Sequence, residues 1–245
     1  MENYTRRIGL VGISLASLLY SGCGKEQIPA NPAAPLTAED PNPNQYEQRI
    51  RQASTLTIKE KFFSLGKHYD IYDGKEIVAT VTGKKFRVIS GDLFTLKTID
   101  GKVLGSEKES VGFLQFKRAA ACYDGHGKNN GYIGEEISLK DMATFDHIFH
   151  LYDPEKTQLG KSRRAAISGT VNIKNTSGGI DYLSEKKFLS STDKYILQKK
   201  NKESKIPIQQ AILITCIEDT LRDAEKAEAT EKTIDAISDA LDDDD

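Results

Sequence analysis

Four times in this chain an apolar, β-favouring run ends at a dipeptide suited to chain reversal. Asp73-Gly74 follows His68–Tyr72 and precedes Lys75–Val81. Asp100-Gly101 lies between Leu93–Ile99 and Lys102–Leu104. Asp124-Gly125 follows Phe113–Phe116 and Ala119–Tyr123, and Asp153-Pro154 follows His147–Tyr152. Glycine supplies the positive φ that tight hairpin turns need, so each unit reads as strand, turn, strand. Further strands are expected at Leu56–Phe63, Lys85–Ile89, Ala165–Ile173, Ile180–Lys187 and Lys194–Lys199. A dozen or so short strands joined by hairpins predict a mainly β sandwich or barrel. A barrel would also remove the exposed sheet edges that invite aggregation. The Gly-rich stretch Asp124–Gly131 reads as a long flexible hairpin loop.

The periodicity changes at Pro207. Ala211, Ile212, Leu213, Ile214, Cys216 and Ile217 leave almost no polar face. A proline fits the first turn of a helix, and a helix apolar all round must be buried. The run is too short to span a bilayer, so the protein itself has to bury it. Residues 224–241 carry only a thin apolar stripe, Ile234, Ile237 and Leu241, and predict a peripheral helix followed by a disordered Asp242–Asp245 tail.

Hairpins followed by one apolar helix resemble the LURP-one-related and tubby C-terminal-like domains. The likeness rests on Lys61–Gly74, Ile77–Gly83, Phe94–Gly101, Lys186–Leu189, Asp193–Leu197 and Ile208–Ile217. It covers about residues 56–222. It implies a roughly twelve-stranded antiparallel barrel closed around a central C-terminal helix at about 207–222, with 223–245 left as an acidic appendage. Tubby domains bind phosphoinositides through basic surface residues; the resemblance assigns that role to no particular residue of this sequence.

The N-terminus suggests an address. Arg6 and Arg7 precede an apolar run from Ile8 to Leu19, the length of a signal-peptide core. Leu19-Tyr20-Ser21-Gly22-Cys23 then resembles a bacterial lipobox, with Tyr20 where an aliphatic residue is usual. The resemblance implies a signal peptide over 1–22 and lipidation of Cys23. It also implies a place in the cell envelope, at the outer membrane if the cell is diderm. Several acyl chains on one cysteine would make a stable anchor. Residues 23–55 read as a tether, because five of the seven prolines lie between Pro29 and Pro43. In extended form its Pro-rich part would reach on the order of 50 Å.

Charge is unevenly placed. Leu56–Ile206 holds 26 Lys and Arg against 19 Asp and Glu, whereas Pro207–Asp245 holds 3 against 12. Basic clusters occur at Lys84, Lys85 and Arg87, at Lys161, Arg163 and Arg164, at Lys186 and Lys187, and at Lys199, Lys200 and Lys202. On a barrel they could gather at one rim facing anionic headgroups; as strand-end lysines they could equally serve solubility. Cys122 and Cys216 leave open a disulfide or two buried thiols.

Recognisable chemistry is sparse. Gly160-Lys161-Ser162 resembles the end of a phosphate-binding loop, but Glu155 stands where the first glycine belongs. His147 and His150 would fall on opposite faces of a strand and so would not share a metal. Cys122 with His126 lacks an orienting group for nucleophilic catalysis. No cofactor is implied, and the mildly basic body does not suggest nucleic acid. The expected function is a non-enzymatic, tethered binding or scaffolding module with an envelope protein as partner. A module taking anionic lipid or a small anionic ligand at a basic rim comes second, and a hydrolytic enzyme third.

Overall fold

Alternation of inward and outward side chains sets the architecture. In the strand Phe94–Thr98 the first, third and fifth residues are buried, and in Ile148–Tyr152 the second and fourth are. The computed structural model describes residues 45–61, 66–83, 94–107, 116–136, 147–164, 169–187 and 193–242. These form a closed antiparallel barrel of twelve strands in sequential order. The strands are β1 Thr55–Glu60, β2 Lys67–Asp73, β3 Glu76–Gly83, β4 Phe94–Thr98, β5 Val103–Glu107, β6 Phe116–Tyr123, β7 Asn129–Glu136, β8 Ile148–Tyr152, β9 Gln158–Arg164, β10 Thr170–Asn175, β11 Ile180–Lys187 and β12 Lys194–Lys199. Pairing of β1 with β12, Leu56 opposite Leu197 and Ile58 opposite Tyr195, closes the ring and leaves no open edge.

The expected turns lie together at one end, here called proximal. Asp124 Oδ1 accepts from the backbone N–H of His126 and Lys128, and Asp153 Oδ1 from that of Thr157. Asn175, unmarked in the sequence reading, does the same for Ser177 and Gly179. The side-chain acceptor competes with the ladder and bends the chain there. The expected strand at Lys85–Ile89 lies outside the described residues.

The interior is filled by helix α2, Ile208–Asp242, which enters at the proximal end and leaves at the distal end. Ala211, Ile212, Leu213, Ile214 and Cys216 are fully buried against wall residues such as Ile71, Leu96, Phe149 and Ile173. The helix does not stop near residue 222 as expected. No Gly or Pro interrupts the Ala-, Glu- and Lys-rich sequence after it, so nothing ends the helix. It runs on outside the barrel as one piece, and Ile234 is 60% exposed. Among the described residues no helix is long and apolar enough to cross a membrane.

Two further expectations are corrected. The segment read as a flexible loop is a tight turn followed by β7. Its Gly131 (φ +125°) faces α2, where an added Cβ would lie 2.3 Å from the Tyr152 carbonyl oxygen and 2.6 Å from Gln210 Nε2. Glycine there marks close backbone approach rather than flexibility. Residues 45–52, assigned to the tether, instead form helix α1, Gln45–Gln52, with Ile50 fully buried. Arg49 fastens α1 to Asp73 at 3.0 Å and also to Glu76.

Candidate functional site

Charged and polar side chains converge at both ends of the barrel. At the distal end the wall grips the emerging helix. Lys67 Nζ lies 2.7 Å from Glu60 and 3.8 Å from Asp219 and also pairs with Asp223. Lys186 Nζ lies 3.3 Å from Asp219 and pairs with Asp193. Tyr69 donates to Asp219 Oδ2 at 2.9 Å, and Tyr195 donates to Oδ1 while accepting from Arg222 at 3.0 Å. His147 reaches Glu135 at 2.5 Å and Glu225 on the helix at 3.3 Å. Burial opposes ionisation of Asp219, but the hydrogen bond from Tyr195 and the charges of Lys67 and Lys186 outweigh it and hold the carboxyl below its ordinary value. For Glu60 burial wins over Lys67, and the carboxyl is raised.

Carboxylate oxygens of Glu60, Asp193, Asp219 and Asp223 lie within 4.8 Å of one another, a spacing that could hold a metal ion. The two ammonium groups standing among them already supply countercharge. The cluster joins the acidic part of α2 to the basic wall and acts as a lock.

At the proximal end the lead-in to α2 is fixed from below. Asp181 accepts from Asn175 at 2.8 Å, Asn201 at 2.9 Å and Ser204 at 2.5 Å. Tyr182 donates to the Ile206 carbonyl at 2.9 Å. Gln210 Nε2 donates to the carbonyls of Tyr132 (3.1 Å) and Tyr152 (2.9 Å), tying the first turn of α2 to β7 and β8. Beside this lead-in opens a cavity of about 240 Å³, bordered by Arg51, Lys199, Lys205 and Gln209.

The residues marked in the sequence do not form one site. Cys23, Lys84, Lys85 and Arg87 lie outside the described residues. Lys161 and Arg163 are exposed on the outer wall of β9, and Arg164 ends that strand. Lys186 turns inward to the distal lock, while Lys199, Lys200 and Lys202 lie at the proximal end. The described clusters therefore do not gather at one rim. Cys122 and Cys216 are buried free thiols, pushed up by burial and so held protonated. His147 faces inward and His150 pairs with Gln158 at 2.8 Å, so the two histidines do not converge.

The lock residues were missed, although a signal existed. The alternation that turns Tyr182 and Ser184 inward also turns Lys186 inward. Lys67 likewise starts β2 in phase with the buried Tyr69 and Ile71. No family model matches this chain, and neither curated proteins nor solved structures give a match.

Proposed function

We propose that this chain is a membrane-tethered, non-enzymatic binding or scaffolding module of the cell envelope, anchored by acylated Cys23, with a barrel of the tubby-like, LURP-one-related kind. The observation that carries the reading is the filled interior: α2 occupies the space in which a barrel would hold a ligand. Contacts with partners then come from the outer wall, the ends and the projecting part of α2. A second reading, an anionic lipid surface as partner, is favoured by one detail. Lys161 on β9 stands directly opposite Lys174 on β10, and both are exposed. Like charges in that relation repel, and an anionic partner would relieve the repulsion.

The test is intact mass and membrane partitioning of the chain from its native cell, beside Cys23→Ala. Acyl mass and membrane association are expected only with Cys23 present. Identical behaviour of the two chains would remove the anchor. Flotation of the Cys23→Ala chain with anionic vesicles, lost in Lys161→Ala/Arg163→Ala, would favour the lipid reading over a protein partner; no flotation would eliminate it.

A further inference from the structure

We infer that the projecting part of α2 docks on the outer wall of a second copy of this chain, over strands β8 to β10, and that the contact is reciprocal. Two charge patterns carry the inference. Beyond the distal lock, residues 226–245 hold eight acidic residues against Lys226 and Lys232. The neighbouring strands β8, β9 and β10 hold no acidic residue and carry Lys161, Arg163, Arg164 and Lys174. Every other run of three neighbouring strands in the barrel contains at least one acid. Lys161, Arg163 and Lys174 are exposed. Lys161 stands opposite Lys174, and neither is in an ion pair among the described residues.

The helix cannot bring its acidic part to its own wall. α2 runs from Ile208 to Asp242 without Gly or Pro and is buried inside the barrel as far as Arg222. With no residue to kink it, residues 226–242 point away from the barrel that holds their start. They extend about 25 Å and β9 about 23 Å, so helix and wall match in length. Ala227, Thr230 and Ile234 recur at helical spacing and are all exposed, Ile234 at 60%. They make a narrow stripe of small and apolar side chains along the acidic helix. On the wall, Ile148 and Tyr152 of β8 face outward half-buried and offer apolar surface beside the cations. Pairing two projecting helices with each other would set acid against acid, whereas a helix on a wall sets acid against base. With two barrels antiparallel, a two-fold axis lets each helix lie along the other's wall, so the contact is made twice and closes. This names the partner within the binding or scaffolding reading proposed above and rests on it. Acylation of Cys23 plays no part in the contact, so the two can fail separately.

The experiment is sedimentation equilibrium of the full chain carrying Cys23→Ala, at low salt and in about 1 M salt, where the screening length falls to about 3 Å. Three variants accompany it: the wall reversal Lys161→Glu/Lys174→Glu, the helix reversal Glu231→Lys/Asp235→Lys, and a chain with all four changes. A two-copy species is expected at low salt. Its dissociation constant should rise about tenfold or more in high salt and with either reversal alone. An equimolar mixture of the two reversals, and the chain with all four changes, should recover the pairing, because each acid again faces a base. Recovery also shows that the substituted chains fold. Should either reversal disturb folding, Lys161→Ala/Lys174→Ala reads the same wall by the same loss. A monomer at every concentration, a two-copy species indifferent to the wall and helix changes, or weakening by both reversals without recovery in the mixture each overturns the inference. A monomer that floats with anionic vesicles, and stops floating with the wall reversal, likewise overturns it and gives the wall to a lipid surface.

Discussion

Asp219→Ala is expected to destabilise the folded chain by about 3–5 kcal/mol, the range for breaking a buried ion pair from one side. Asp219 is fully buried and serves Lys67, Lys186, Tyr69 and Tyr195 at once. Removing it strands the Lys186 ammonium, whose side chain is 4% exposed, with Asp193 as its remaining partner. The loss comes mostly from the charge left behind, so a second change should reverse part of it. Asp219→Ala/Lys186→Met is expected to be more stable than Asp219→Ala alone, as read from urea unfolding midpoints. Equal stability of the two would mean that Lys186 is not held by Asp219. The same residue sets an acid limit. Its folded carboxyl lies below the ordinary 3.8, so its contribution is complete above about that pH and is lost as pH falls further. Glu60 works in the opposite sense, because its raised carboxyl favours the folded state on protonation. Asp219→Asn should therefore show a shallower loss of stability below pH 3.8 than the parent chain.

Gly131→Ala is expected to cost about 3 kcal/mol or more, combining backbone strain with overpacking. At φ +125° an L side chain is strained, and its Cβ would press on the Tyr152 carbonyl at 2.3 Å. It would also press on Gln210 Nε2, the group that ties α2 to β7 and β8. The proximal seat of the helix and the β7–β8 ladder are thus damaged together. Gly127→Ala is the contrast. Gly127 also has positive φ, but no atom lies within 4 Å of its added Cβ, so only the strain remains. Thermal melts of the two variants separate strain from contact. Equal losses would show that α2 does not press against β7 at this point.

Much of the barrel was legible because its signals are local. Asp-Gly dipeptides and alternating apolar residues are read within a few positions, and they located β2 to β5 and β8. The helix core was legible for the same reason, since Ala211–Ile217 leaves no polar face. What stayed hidden depends on neighbours distant in sequence. β7 and β9 carry Gly131 and Gly160 where other backbone or helix atoms pass close; at Gly160 a Cβ would meet the Lys174 carbonyl oxygen at 2.1 Å. In a sequence such glycines look like a loop and a phosphate-loop fragment. The distal lock was hidden because Lys67, Lys186 and Asp219 are far apart in the chain, and each alone reads as a solvated charge. The proximal cavity was half-visible: Lys199 belonged to a noted cluster, but Arg51 and Gln209, which border the cavity with it, come from a segment read as tether and from a helix read as having almost no polar face.

Hydrogen exchange on the intact chain tests most directly the central claim, that α2 fills the barrel and leaves only its outside for partners. Amides of residues 211–221 are expected to exchange at the slow limit set by global unfolding, together with β2 and β12. Those of residues 226–234, outside the barrel, are expected to exchange many times faster. Exchange of residues 211–221 as fast as the projecting part would contradict the account. The helix would then leave a barrel that stays closed without it, and the interior would be open to a ligand.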